Sequence, residues 1–109
     1  MNLYIIGPVT GIDNGNLPRF TRARIALEGS GYGTDIPHDH IPHDAEWDEA
    51  MKASLKHLLD ADGVALLTGW HDSKGACLEY DVARKVGIPA YTVDFWLENA
   101  SRFAKGGAE

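Results

Sequence analysis

Two apolar rhythms take turns along this chain. Short, continuous apolar runs lie at Asn2 to Ile6, Gly63 to Leu67 and Ala90 to Val93, and each is bounded by Gly, Pro or Asp. Runs of that length read as buried strands. Between them the spacing lengthens to the helical period. Phe20, Ala23, Ile25, Ala26 and Leu27 predict a helix from Leu17 to about Ser30, with Asn16 as N-cap, Pro18 in the first turn and Gly29-Ser30-Gly31 as the stop. Tyr32 to Ile36 follows as a short second strand. Trp47, Met51, Leu55, Leu58 and Leu59 predict a second helix over Ala45 to Ala61, capped by Asp44. Lys74 to about Val86 predicts a third, which Gly87-Ile88-Pro89 stops. Phe95 to Phe103, capped by Asp94, predicts a last helix, and Lys105 to Glu109 a frayed tail.

Strands alternating with helices predict a parallel sheet covered on both faces by right-handed crossovers, with strand order 2-1-3-4. In such sheets a ligand lies beyond the carboxyl ends of the strands, where the winding reverses. Here that point falls between the first and third strands. The loops meeting there are Gly7 to Asn16 and Thr68 to Lys74.

Glu79 breaks the pattern of the third helix. At about 100° per residue, Gly75, Val82, Ala83 and Val86 share its side, while Asp81, Arg84 and Lys85 face the other way. A carboxylate in the middle of an apolar stripe leaves water at a cost, and such placements concentrate at functional sites. The alternative is a structural Glu capped by backbone N–H groups or paired with a buried partner. Before it, Ser73 is placed to cap the helix and Gly75 to expose backbone N–H groups, an arrangement that attracts anions. Trp70, between Gly69 and His71, is positioned either to stack a planar ring or to pack over the sheet end. Tyr4, a hydroxyl in the first strand, is a candidate to orient the carboxylate. A buried-side carboxylate beside an anion site suits attack on a sugar carbon.

Composition narrows the partners. With 44% hydrophobic and 24% charged residues, the 109 residues form one domain, 1–109, with a single packed core. A formal charge of -6 without a run of Lys or Arg argues against a nucleic acid polymer or an anionic membrane and for a small molecule or a protein. No stretch reaches the roughly 18 apolar residues of a membrane span, and the first residues lack a signal peptide's basic start. The single cysteine, Cys77, points away from Glu79 and reads as packing, and its solitude fits a reducing cytoplasm. The tract holding His38, Asp39, His40 and His43 invites a metal, but His57 and His71 supply no second ligand pair at a suitable spacing. The expectation is no metal and a solvated loop or lid. Three aromatics in the last helix, Phe95, Trp96 and Phe103, suggest a subunit interface.

Several motifs together resemble a known family. These are Tyr4-Ile5-Ile6-Gly7-Pro8-Val9-Thr10-Gly11, Asn16-Leu17-Pro18-Arg19-Phe20, Leu59-Asp60-Ala61-Asp62, and Ser73-Lys74-Gly75 followed by Glu79. They resemble the nucleoside 2-deoxyribosyltransferase superfamily, most closely its small phage and bacterial branch of unassigned function. The resemblance covers nearly the whole chain up to Val93. It implies a flavodoxin-like three-layer sandwich with a four- to five-stranded parallel sheet, and cleavage or transfer at the N-glycosidic bond of a nucleoside or nucleoside 5'-monophosphate. By the same resemblance Glu79 is the nucleophile and Tyr4 its hydrogen-bonding partner. Ser73 and Gly75 hold a 5'-hydroxyl or 5'-phosphate, with Gly7, Pro8, Gly11, Gly69 and Trp70 lining the substrate. No cofactor is implied, and the expected assembly is a homo-oligomer whose neighbours complete the site. The chain departs from the pattern at Ser54, where relatives tend to carry an Asp that assists at the base or the sugar, and a serine is no acid near neutral pH. That departure sustains an alternative, a non-catalytic module that senses or sequesters a nucleotide; a third possibility is a purely structural assembly unit.

Overall fold

The structure, a computed structural model, describes residues 1–104. The apolar runs form a parallel sheet of β1 (Asn2–Ile6), β2 (Gly33–Asp35), β3 (Gly63–Leu66) and β4 (Ala90–Thr92), in the expected order β2-β1-β3-β4. Leu3 pairs with Gly63 and Ile6 with Leu66, so β1 and β3 run side by side at the centre of the sheet. Both are buried on both faces, which is why their sequences are continuous apolar runs. The helices are α1 (Leu17–Gly29), α2 (Trp47–Leu59), α3 (Lys74–Lys85), α4 (Val93–Glu98) and α5 (Ala100–Phe103). This is a flavodoxin-like α/β sandwich. No helix among the described residues is long and apolar enough to cross a membrane.

Alternation along β1 divides the core in two. Leu3 and Ile5 join Phe20, Leu27, Ala65 and Trp96 beneath α1 and α4. Tyr4 and Ile6 join Leu58, Val64, Ala76 and Ala83 beneath α2 and α3. Trp96 is fully buried; its Nε1 donates to the Val64 carbonyl at 2.8 Å, and its own carbonyl accepts from Tyr32 Oη at 2.6 Å. Gly63 makes room for that indole, since a Cβ there would meet it at 3.0 Å. The last helix's aromatics therefore serve the chain's own core first. Phe95 and Phe103 pack partly buried around Trp96, and Tyr91 stacks on Phe95.

Several boundaries differ from expectation for local reasons. α2 begins at Trp47, and Asp44 does not cap it. The terminal helix is two helices. Thr92, not Asp94, caps α4 by accepting from the Phe95 N–H, and the Asn99 side chain takes the Phe95 carbonyl at 2.9 Å where α4 ends. In α1 the buried stripe is Phe20, Ala23 and Leu27, while Ile25 stands 65% exposed on the opposite side. Val86 lies just past α3 and is exposed. The expected frayed tail, Lys105 to Glu109, lies outside the described residues.

Candidate functional site

At the switch point two tight loops are locked together by small residues. Gly7 ends β1 against Leu67; a Cβ there would stand 2.8 Å from that side chain, so only glycine lets the chain turn here. Asn16 does not cap α1 as expected. Its φ is 64°, and its Nδ2 donates to the Pro8 carbonyl at 2.9 Å, which closes the Gly7 to Asn16 loop upon itself. Gly11 lies exposed in that loop with φ 81°. His38 pins the same loop: its Nε2 lies 2.8 Å from the Gly15 carbonyl, and its ring packs edge-on to Phe20. Gly69 turns the second loop with φ 89°, and Trp70 lies half-buried with its ring 4.5 Å from that of Tyr80. The tryptophan thus packs against α3 over the sheet end. Cys77 Sγ reaches the His71 carbonyl at 3.3 Å, a tether between α3 and its own loop.

Ser73 caps α3 as expected, its Oγ accepting from the Ala76 N–H at 3.2 Å. Gly75 also serves the packing of the helices. A Cβ on it would meet Met51 Sδ at 3.2 Å, so its bare Cα lets α2 and α3 approach each other closely. Lys74 lies over the Trp47 ring at 4.4 Å. The close approach of the helices brings Ser54 of α2 to Glu79 of α3.

Glu79 is 5% exposed and Ser54 2%. Ser54 Oγ donates a short hydrogen bond to Glu79 Oε2, and Tyr4 Oη lies 2.7 Å from the same Oγ. Among the described residues, no hydrogen bond joins Tyr4 directly to the carboxylate. Ser54 stands between them. Burial raises the Glu79 pKa from 4.5 to about 7, and the hydrogen bond from Ser54 opposes the rise without cancelling it. Burial also pushes the Tyr4 phenol above its ordinary range, with the Ser54 hydrogen bond opposing and Glu79 adding to the rise. The carboxyl is poised between its two forms at neutral pH, the condition for exchanging protons or acting as a nucleophile there.

Ser54, in the sequence only a departure from an acid, proves to be the partner of Glu79. A signal was present. Met51, Ser54 and Leu58 recur at helical spacing and are the buried residues of α2, so a hydroxyl on one apolar stripe faces a carboxylate on the next.

The remaining expected site residues divide. A cleft of about 440 Å³ opens at the carboxyl ends of β3 and β4, bordered by Arg19, Thr68, Gly69, Trp70, His71 and Asp94 among others. Arg19 closes one wall by donating to the Thr68 carbonyl at 2.7 Å. Gly69 and Trp70 thus border the cleft, whereas Tyr4, Ser54, Ser73 and Glu79 do not. The histidine tract is exposed at Asp39, His40 and His43, as expected of a solvated loop, and it is also tied to its neighbours. Asp39 pairs with Arg24 and accepts from the Ile36 N–H, and His40 stacks on His57 at 3.5 Å with its Nε2 3.2 Å from Asp35. Asp35, Asp39 and His40 approach one another closely enough to hold an ion, but Arg24 and Asn2 already engage the two carboxylates.

A family model described as a domain of unknown function (DUF4406) matches residues 1–92, which span all four strands and α1 to α3. The chain is a DUF4406 protein. No curated protein matches this DUF4406 chain. Among solved structures it is similar to the 2-deoxyribosyltransferase from the psychrotolerant bacterium Bacillus psychrosaccharolyticus, with a TM-score of 0.63 and 19% identity over 83% of this chain and 69% of that one. At that identity the likeness is one of fold. The DUF4406 chain shares the neighbour's flavodoxin-like architecture.

Proposed function

We propose that this protein cleaves or transfers at the N-glycosidic bond of a nucleoside or nucleoside 5'-monophosphate, with Glu79 as nucleophile. The observation that carries the proposal is the Glu79 carboxyl itself, buried on α3 beside Ser54 with its pKa raised to about 7. A fold shared with a 2-deoxyribosyltransferase supports the same chemistry. In this mechanism the ionised Glu79 attacks the anomeric carbon, and the base departs with the bonding pair and takes up a proton from water. The resulting glycosyl ester passes to water or to a second base. Ser73, at the start of α3, receives the 5'-hydroxyl or 5'-phosphate, and the Gly7, Pro8 and Gly11 loop and Gly69-Trp70 flank the sugar and base. The chemistry asks for no metal. Within this proposal the protein acts in the cytoplasm as a homo-oligomer whose neighbours close the site over the substrate.

The test is base release, followed by chromatography, from a panel of nucleosides and nucleoside 5'-monophosphates. At least one member should yield free base, and Glu79→Gln should abolish the release with the loss falling on turnover rather than binding. No base from any member would overturn the proposal. A second reading, a nucleotide-binding module without turnover, draws on one observation: Glu79 is only 5% exposed and already accepts from Ser54. It predicts calorimetric binding without consumption of the nucleotide and only a modest change in affinity for Glu79→Gln.

A further inference from the structure

We propose that Ser54 is the positioning residue of this site: its hydroxyl takes a hydrogen bond from Tyr4 and gives its own to Glu79 Oε2, tying down one carboxylate oxygen and leaving the other to attack. This rests on the reading of Glu79 as nucleophile.

The donor count fixes the direction of the relay. A serine hydroxyl carries one proton and accepts through its lone pairs, and an ionised carboxylate only accepts. Ser54 therefore gives its proton to Oε2. The contact with Tyr4 at 2.7 Å is then made by the phenol's proton, so the chain runs from Tyr4 through Ser54 to Glu79. Such a chain needs a neutral phenol, and burial of Tyr4 keeps it in that form. Among the described residues, no hydrogen bond reaches Glu79 Oε1. When Glu79 is protonated the proton belongs on that free oxygen, because Oε2 still accepts from Ser54. One oxygen is thus a fixed anchor and the other the site of both protonation and attack.

The three members of the relay sit on three elements, with Glu79 on α3. Tyr4 is fixed in β1 between β2 and β3, and Ser54 in α2 between the buried Met51 and Leu58. Gly75 permits the helix approach that brings Ser54 within reach of α3. Few charges bear on the group. Asp35 and Asp39 act on Tyr4 through space, as does Glu79 itself, while Glu79 responds to its burial and to Ser54.

The experiment reads the relay apart from turnover. The full chain is made with ¹³C-labelled glutamate carboxyls, and the Glu79 signal is assigned as the one missing in Glu79→Gln. In Ser54→Ala its titration midpoint should rise by about one pH unit, the loss of a hydrogen bond to a charged acceptor. In Tyr4→Phe it should rise by less, since Ser54 loses only its polarising partner. Ser54→Thr, which keeps the hydroxyl, should titrate like the parent. Base release is followed against pH in the same proteins, and its midpoint should move with the carboxyl's. An unmoved Glu79 titration in both Ser54→Ala and Tyr4→Phe overturns the relay. Base release from Ser54→Ala with a parental pH midpoint also overturns it, while leaving the nucleophile intact. A shifted titration with no base released by any protein defeats the glycosidic proposal and leaves the Tyr4, Ser54 and Glu79 relay standing.

Discussion

Burying Glu79 gives the folded state a pH dependence that a single substitution should remove. Its carboxyl titrates near 4.5 in the unfolded chain and at about 7 in the folded one. Because the folded pKa is the higher, the native state binds the extra proton between those values, and its stability falls as pH rises through that window. The contribution is whole below about pH 4.5 and lost above about pH 7. At 1.36 kcal/mol per pH unit, a rise from 4.5 to about 7 corresponds to about 3 kcal/mol. Glutamine matches the protonated side chain in size and carries no charge. Glu79→Gln should therefore resemble the parent at pH 5 and become the more stable of the two by pH 8, by up to about 3 kcal/mol. Urea unfolding of both proteins at a series of pH values measures this. With a slope of about 1 to 1.5 kcal/mol per molar urea, the midpoints should separate by about 2 to 3 M. Taking the difference between the two proteins cancels the histidines and the other carboxylates they share. A difference that stays constant from pH 5 to pH 8 would refute the reasoning, because it would mean that the folded carboxyl is no harder to ionise than the unfolded one.

Three other outcomes follow from the geometry. Ser73→Ala removes the cap of α3 and should cost about 1 kcal/mol, read as a drop of about 4–8 °C in Tm. Gly7→Ala puts a methyl against Leu67 and should destabilise by about 1–3 kcal/mol; adding Leu67→Ala should relieve part of that loss, so a double-mutant cycle in urea should show a coupling of about 1 kcal/mol or more. Any base release should rise with pH as Glu79 ionises and level off above about pH 7, whereas a profile that falls across that range would assign the group the role of an acid.

The sheet was legible because each central strand is buried on both faces, and a continuous apolar run announces that without help from the rest of the chain. Glu79 was legible for a related reason: helical period alone puts it among Gly75, Val82 and Ala83, and no partner needs to be known to see that it faces inward. Ser54 was not. Its importance depends on the rotation of α2 about its axis relative to α3 and on the distance between them, and both are set by Gly75 against Met51, a tertiary contact with no local signature. The same limit explains Asn16 and Trp70. Asn16 has the composition of a cap, but the fold spends its amide on the Pro8 carbonyl. Trp70 borders the cleft as its loop position suggests, but its contact with Tyr80, one turn beyond Cys77 on α3, has no local signature. Where the terminal helix breaks, Asn99 is the local feature: its backbone N–H and its side chain both bond the Phe95 carbonyl, which closes α4 at that residue.

The central claim is that Glu79 forms a bond to the sugar, and acid quenching during turnover tests it most directly. A nucleotide that the base-release panel finds productive is mixed with excess protein, quenched within the first turnover, digested and weighed by mass spectrometry. The account predicts one glycosyl adduct, on the peptide containing Glu79, and neither adduct nor base release in Glu79→Gln. An adduct on another residue, or base release by Glu79→Gln at the parental rate, would contradict it.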